Sequence, residues 1–186
     1  MHNDWQNVIE EIKNFNWKEI FPVCNSLEHF NDAQWRFLKG TVIELCVEKY
    51  SNGNLLYVGE KHKDYDWPKF NCSVELKSNT SHKIFTSKNK LRLNYTLLLN
   101  NSMGTNNKNV PDDSELSDII ICLYSDGVFI VDKDTTKKCL VKKGDGFKLV
   151  IPKNDINLIH KNNFIEKNEN LLTLRGEIQA LIRSKL

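Results

Sequence analysis

Asp64, Asp66, Glu75 and Lys77 are the residues of this chain whose types and spacing can do chemistry; they lie in the stretch DYDWPKFNCSVELKS, residues 64–78. A hairpin turning at Pro68 to Asn71 sets Trp67 across from Cys72, Asp66 across from Ser73 and Asp64 across from Glu75. Side chains alternate along a strand, so Asp64, Asp66, Glu75 and Lys77 share one face, while Val74 and Leu76 point into a core. Cross-strand neighbours lie about 4.5–5.5 Å apart. Charges so close in a half-buried hairpin are costly unless they are paired or hold a metal. Two carboxylates at that separation can grip one divalent cation, and hard oxygen ligands suit Mg²⁺. A lysine beside them can orient or deprotonate a water attacking a phosphodiester, or offset charge at phosphorus.

Other elements must hold that face in place. Residues 3–15 read as a short helix. Asn31 to Tyr50 reads as a longer one, with Asn31 or Asp32 as its cap and Trp35, Leu38, Val42, Ile43, Cys46 and Val47 as an apolar stripe. Ser51 to Asn54 is a stop signal. The period then shortens. Leu55 to Gly59, the two hairpin arms, the segment KLRLNYTLLLNN, two arms around Ser125-Asp126-Gly127, and a segment ending at Pro152 read as strands. Residues 170–186 read as a closing helix. The order predicts an α/β (α+β) domain spanning 1–186. In it, helices in 1–50 and 170–186 flank one central mixed β-sheet within 55–160. The tryptophans read as core or dimer contacts, with Trp67 fixing the hairpin.

Length and composition bound the partners. The chain has 186 residues, enough for one real core, and 26 basic against 24 acidic residues give a net charge of +2. A nucleic-acid surface must therefore come from local segregation of charge. The five cysteines are odd in number, and no two stand at CxxC spacing. This argues against a zinc site or a disulfide framework and for reduced thiols in the cytoplasm. The amphipathic, acid-bearing N-terminus does not read as a signal or transit peptide, and no apolar run nears the ~20 residues of a membrane span. KKGDGF lacks the spacing of a phosphate-binding loop, so no ATP-driven step is expected.

Asp66 followed by Glu75-Leu76-Lys77 resembles the signature of the PD-(D/E)xK nucleases, whose best-populated small members are type II restriction endonucleases. FLKGTVIELCVEKY resembles the helix that precedes the hairpin in such enzymes, where a glutamate points at the active site. Glu44 fills that place, and Glu48 stands one turn on. The similarity covers Phe37 to about Ser78. Two departures stand out. Lys63 and Tyr65, not proline, precede the aspartates, and either Asp66 or Asp64 can be the first acid, nine or eleven residues before Glu75. Asp66 is the favoured first acid, with Asp64 close behind; the hairpin register, which sets Asp64 opposite Glu75, argues for the other choice.

The resemblance implies a restriction-endonuclease-like fold and a Mg²⁺-dependent, sequence-specific cut in double-stranded DNA by a homodimer. Asp66, Glu75 and the Leu76 carbonyl would bind the metal, Lys77 would handle the water, and Glu44 would hold a second metal or order waters. Lys88, Lys90 and Arg92, just past the catalytic strand, would meet phosphates. Asn101, Ser102, Asn106, Asn107 and Lys108, in the long polar loop, are candidates for reading bases. A junction resolvase or repair endonuclease of the same superfamily, or a non-catalytic nucleic-acid-binding module, fits the same residues differently.

Overall fold

The computed structural model describes residues 2–27, 33–60, 63–79, 84, 90–93, 116–143 and 146–162. The expected C-terminal helix, the polar loop with Asn101, Ser102, Asn106, Asn107 and Lys108, the cap at Asn31 or Asp32, and Lys88 lie outside them.

Three helices come first: α1 (His2–Lys13), α2 (Trp17–Ser26) and α3 (Ala33–Lys49). The sequence pattern does not announce α2, because Pro22 sits inside it and removes a backbone donor. Burial of Trp17, Ile20, Phe21 and Cys24 holds it. The turn after α3 forms where expected: Asn52 and Gly53 both take positive φ, and Asn52 Nδ2 donates to Asn14 O at 2.8 Å.

β1 (Leu56–Glu60), β2 (Lys63–Trp67) and β3 (Cys72–Asn79) form an antiparallel meander. The expected pairs Asp66–Ser73 and Trp67–Cys72 form, with Tyr65 paired to Val74, but the expected pair of Asp64 with Glu75 does not, because the ladder ends at Tyr65–Val74. A single 3-10 turn over Pro68–Phe70 makes the connection, and Asn71 closes it in the left-handed conformation at φ 47°. Proline supplies the starting φ, and asparagine is among the few residues that accept the closing one. Trp67, fully buried, packs edge-on to Phe70 with ring centres 4.8 Å apart.

β4 (Lys90–Leu93) starts a separate sheet. β5 (Ile119–Tyr124) then runs parallel to β3, and β6 (Gly127–Asp132) returns antiparallel. A short helix α4 (Lys133–Cys139) follows, capped by Asp132, whose side chain accepts the Thr135 N–H at 2.6 Å. β7 (Leu140–Lys143), β8 (Gly146–Pro152) and β9 (Asn157–Lys161) complete the described chain. The result is a mixed α+β protein. Its central sheet has six strands in the order β1-β2-β3-β5-β6-β9, and a second sheet has the order β4-β8-β7. The sequence pattern anticipates one sheet; the second forms because β8 pairs with both β4 and β7.

Each face of the central sheet has its own core. Tyr65, Trp67, Val74, Leu76, Ile119, Ile121, Leu123, Val128 and Ile130 pack under the three long helices, against Ile12, Ile20, Ile43 and Val47. Ile120, Cys122, Tyr124, Phe129 and Val131, from the opposite face, pack against Phe147, Leu149 and Ile151 of the second sheet. β3 is thus a central strand, which explains how the ionic residues it carries come to be buried. No helix among the described residues is long and apolar enough to cross a membrane.

Candidate active site

The pairing of β2 with β3 ends at Tyr65–Val74, whereas β3 continues along β5 as far as Asn79. Past that point a side chain takes over from the ladder: Asp64 Oδ2 accepts the Leu76 N–H at 2.6 Å. The N–H and C=O of one strand residue point to the same side, so the Leu76 carbonyl also faces the side on which the β2 ladder has ended.

Glu75 and Lys77 point to the face opposite Val74 and Leu76, as alternation requires. Glu75 is buried, its side chain 4% exposed, while Lys77 reaches further out at 31%. Lys77 Nζ pairs with Glu75 Oε1. The other oxygen, Oε2, is buried and has no hydrogen-bond partner among the described residues. A carboxylate oxygen left so is expensive, which makes it the main sign of a ligand here.

Glu44 comes in from α3. Its Oε2 accepts a hydrogen bond from the Tyr57 hydroxyl at 3.2 Å, and its backbone carbonyl accepts one from the Tyr65 hydroxyl at 2.8 Å. Burial raises the proton affinity of Glu44, against the pull of Tyr57 and Lys77. Asp64 shows the crowding most clearly. Burial pushes its pKa up to about 7; Glu44 and Glu75 push the same way, while the Leu76 N–H and Lys77 pull it down. Three acids and one ammonium therefore share a neighbourhood at the end of the β2–β3 ladder.

Asp66 stands apart. It faces Ser73, is 46% exposed at its side chain and pairs with Lys63 at 2.7 Å. Ser73 itself is engaged by Asp118, which accepts from both its N–H, at 2.8 Å, and its hydroxyl, at 2.9 Å. The structure thus brings Asp64, Glu75, Lys77 and Glu44 together and leaves Asp66 outside the group. Glu48 serves the fold instead, since its Oε1 accepts the Tyr57 N–H at 2.7 Å and anchors β1 to α3. Lys90 and Arg92 hold alternate register positions on β4, opposite Pro152 and Val150.

No three His, Cys, Asp or Glu side chains among the described residues stand close enough to hold a metal ion as they are placed. By chemistry the groups of the site are hard oxygen donors: three carboxylates and a strand carbonyl, with one carboxylate oxygen lacking a partner among the described residues and the acids crowding one another. Tyr57 is the site residue that sequence reasoning missed. Its partner lies 13 positions earlier, on a helix, and no local pattern connects the two. No family model, curated protein or solved structure matches this chain.

Proposed function

We propose that this protein is a Mg²⁺-dependent endonuclease that hydrolyses phosphodiester bonds in double-stranded DNA, of the type II restriction kind, acting as a homodimer. The observation that carries this reading is the Glu75 carboxylate, buried, with one oxygen on Lys77 and the other without a partner among the described residues, just past the end of the hairpin ladder. Asp64, Glu75-Leu76-Lys77 and the helix glutamate Glu44 together resemble the PD-(D/E)xK arrangement, and the mixed sheet with helices on one face is compatible with a restriction-endonuclease-like fold.

Asp64, Glu75 and the Leu76 carbonyl would hold the ion, with Glu44 ordering waters or a second ion. The ion would supply a more acidic water and Lewis-acid help at a phosphoryl oxygen. Lys77 does the rest of the polar work. Its ammonium, held by Glu75 Oε1 and close enough to Asp64 and Glu44 to act on both, would orient the attacking water and offset negative charge developing on the phosphorus oxygens. Asp64 keeps the Leu76 peptide aligned through its N–H.

Duplex DNA as the substrate is supported by the second sheet. Lys90 and Arg92 hold alternate register positions on β4, Lys148 lies on β8 and Lys143 on β7, so the strands of this sheet are rich in the basic residues that a net +2 chain needs for a nucleic-acid surface. Purified protein is incubated with unmethylated phage DNA and Mg²⁺, and the ends are sequenced. The expected result is discrete fragments, abolished by chelation. Lys77→Ala should remove at least ~10³-fold of the rate while specific binding in a gel-shift assay survives. Cleavage of four-way junctions without sequence preference would move the reading to a resolvase; unchanged activity in Lys77→Ala and in Glu75→Ala would end it.

A further inference from the structure

We infer that Tyr57 is a positioning residue for Glu44, held in place by a bulge in β1 built on Gly59; this rests on the reading of Glu44 as part of a metal-dependent site. Tyr57 is bracketed by two glutamates one helical turn apart. Glu48 Oε1 accepts its backbone N–H at 2.7 Å, and Glu44 Oε2 accepts from its hydroxyl at 3.2 Å. The first bond fixes the strand against α3 and the second fixes a side chain. Its ring sits edge-on to Tyr65, 6.1 Å away, and Tyr65 in turn donates to the Glu44 carbonyl. Two phenols therefore locate Glu44, one by its main chain and one by its carboxylate.

The space for this comes from the backbone. The β1–β2 register shifts between Tyr57 and Glu60, and Gly59 lies within the shift at φ 62°. A Cβ built at Gly59 would stand 2.8 Å from the Tyr57 hydroxyl oxygen and 2.9 Å from its ring carbon. Only glycine both accepts that φ without strain and leaves the phenol room to lie back over the strand. With Oε2 tied to the Tyr57 hydroxyl and the main chain tied to Tyr65, the Glu44 carboxylate is held in one place.

The test is a double-mutant cycle with Mn²⁺ as the probe, read two ways: by isothermal titration of the metal and by the cleavage rate at saturating DNA. Tyr57→Phe removes one hydroxyl and keeps the ring. It should weaken Mn²⁺ binding about 10-fold and lower the rate by a similar factor, with the KM for DNA unchanged. In a Glu44→Gln background the same substitution should have no further effect, because Tyr57 acts through that carboxylate. Gly59→Ala, which drives the phenol from its place, should reproduce the Tyr57→Phe pattern. Wild-type Mn²⁺ binding by Tyr57→Phe, or full additivity with Glu44→Gln, overturns the inference. Because titration needs no turnover, loss of Mn²⁺ affinity in Tyr57→Phe would uphold it even if no DNA were cut, in which case the nuclease reading alone fails.

Discussion

Asp64 and Asp66 are two residues apart on one strand and face, yet they live in different surroundings. Asp66 lies where β2 and β3 are still paired. Its carboxylate reaches solvent and Lys63, and the strand beneath it is occupied by a full ladder. Asp64 lies one step past the last pair. Its carboxylate takes the place of a ladder acceptor, is mostly buried, and shares its space with Glu44, Glu75 and Lys77. The difference teaches that the end of strand pairing decides which aspartate is buried among the other acids, more than its distance in sequence from Glu75. A paired ladder uses up the backbone groups beside a side chain. A diverging one leaves a carbonyl and an N–H for the side chain, or a ligand, to use.

The sharpest way to break the comparison is to neutralise each aspartate in turn. Asp64→Asn keeps the shape and the acceptor for Leu76 N–H but removes a charge from the proposed metal site. Cleavage should fall at least ~10²-fold, with the loss partly restored by raising Mn²⁺. Asp66→Asn should leave cleavage within about 3-fold of wild type, the scale expected for a solvated group away from the reacting atoms. The reverse ranking, measured with the same DNA under single-turnover conditions, would assign the metal to Asp66 and detach the site from the ladder's end.

The hairpin register was legible because its causes are local. Pro68 and Asn71 determine a four-residue connection, and the alternation of Tyr65, Trp67, Val74 and Leu76 selects the buried face. Which aspartate is buried was not legible, because it depends on where β3 leaves β2 while staying with β5, more than forty residues later in the chain. α4 is polar and short, with no apolar period to announce it, although Asp132 three residues before Thr135 is a readable cap. The second sheet arises from pairing between β4 and β8, nearly sixty residues apart. Glu44 was singled out from its place on α3; the assignment of Glu48 to a main-chain bond, and of Tyr57 to Glu44, needed the packing of β1 on that helix.

A second, smaller effect concerns stability and pH. The pKa of Asp64 is about 7 in the fold against a starting value of 3.8, so the folded state binds its proton more tightly than the unfolded chain does. The contribution is then favourable to folding at low pH and is lost as pH rises from about 4 through 7. Asp64→Asn removes that loss. At pH 8, with chelator present, it should be more stable than wild type by on the order of 2 kcal/mol in urea unfolding, and at pH 4 the two should converge. Mn²⁺ should narrow the gap at pH 8, because it stabilises the form in which Asp64 is ionised. A wild type that is the more stable protein at pH 8 without metal would show that Asp64 is not held against its charge.

The smallest expected effect tests the other half of the comparison. Lys63 pairs with Asp66 from a strand-start position where both side chains meet water. Such pairs gain little, since solvent screens them and two long side chains must be ordered to make them. Lys63→Ala should therefore leave the unfolding midpoint within error and the cleavage rate unchanged at low and high salt. The variant also discriminates between the aspartates. Were Asp66 the metal ligand, Lys63 would compete with the ion for its carboxylate, and removing that ammonium would tighten Mn²⁺ binding. Where Asp64 holds the ion, Mn²⁺ titration of Lys63→Ala should match wild type, because the cation that acts on that carboxylate is Lys77, at the ladder's end.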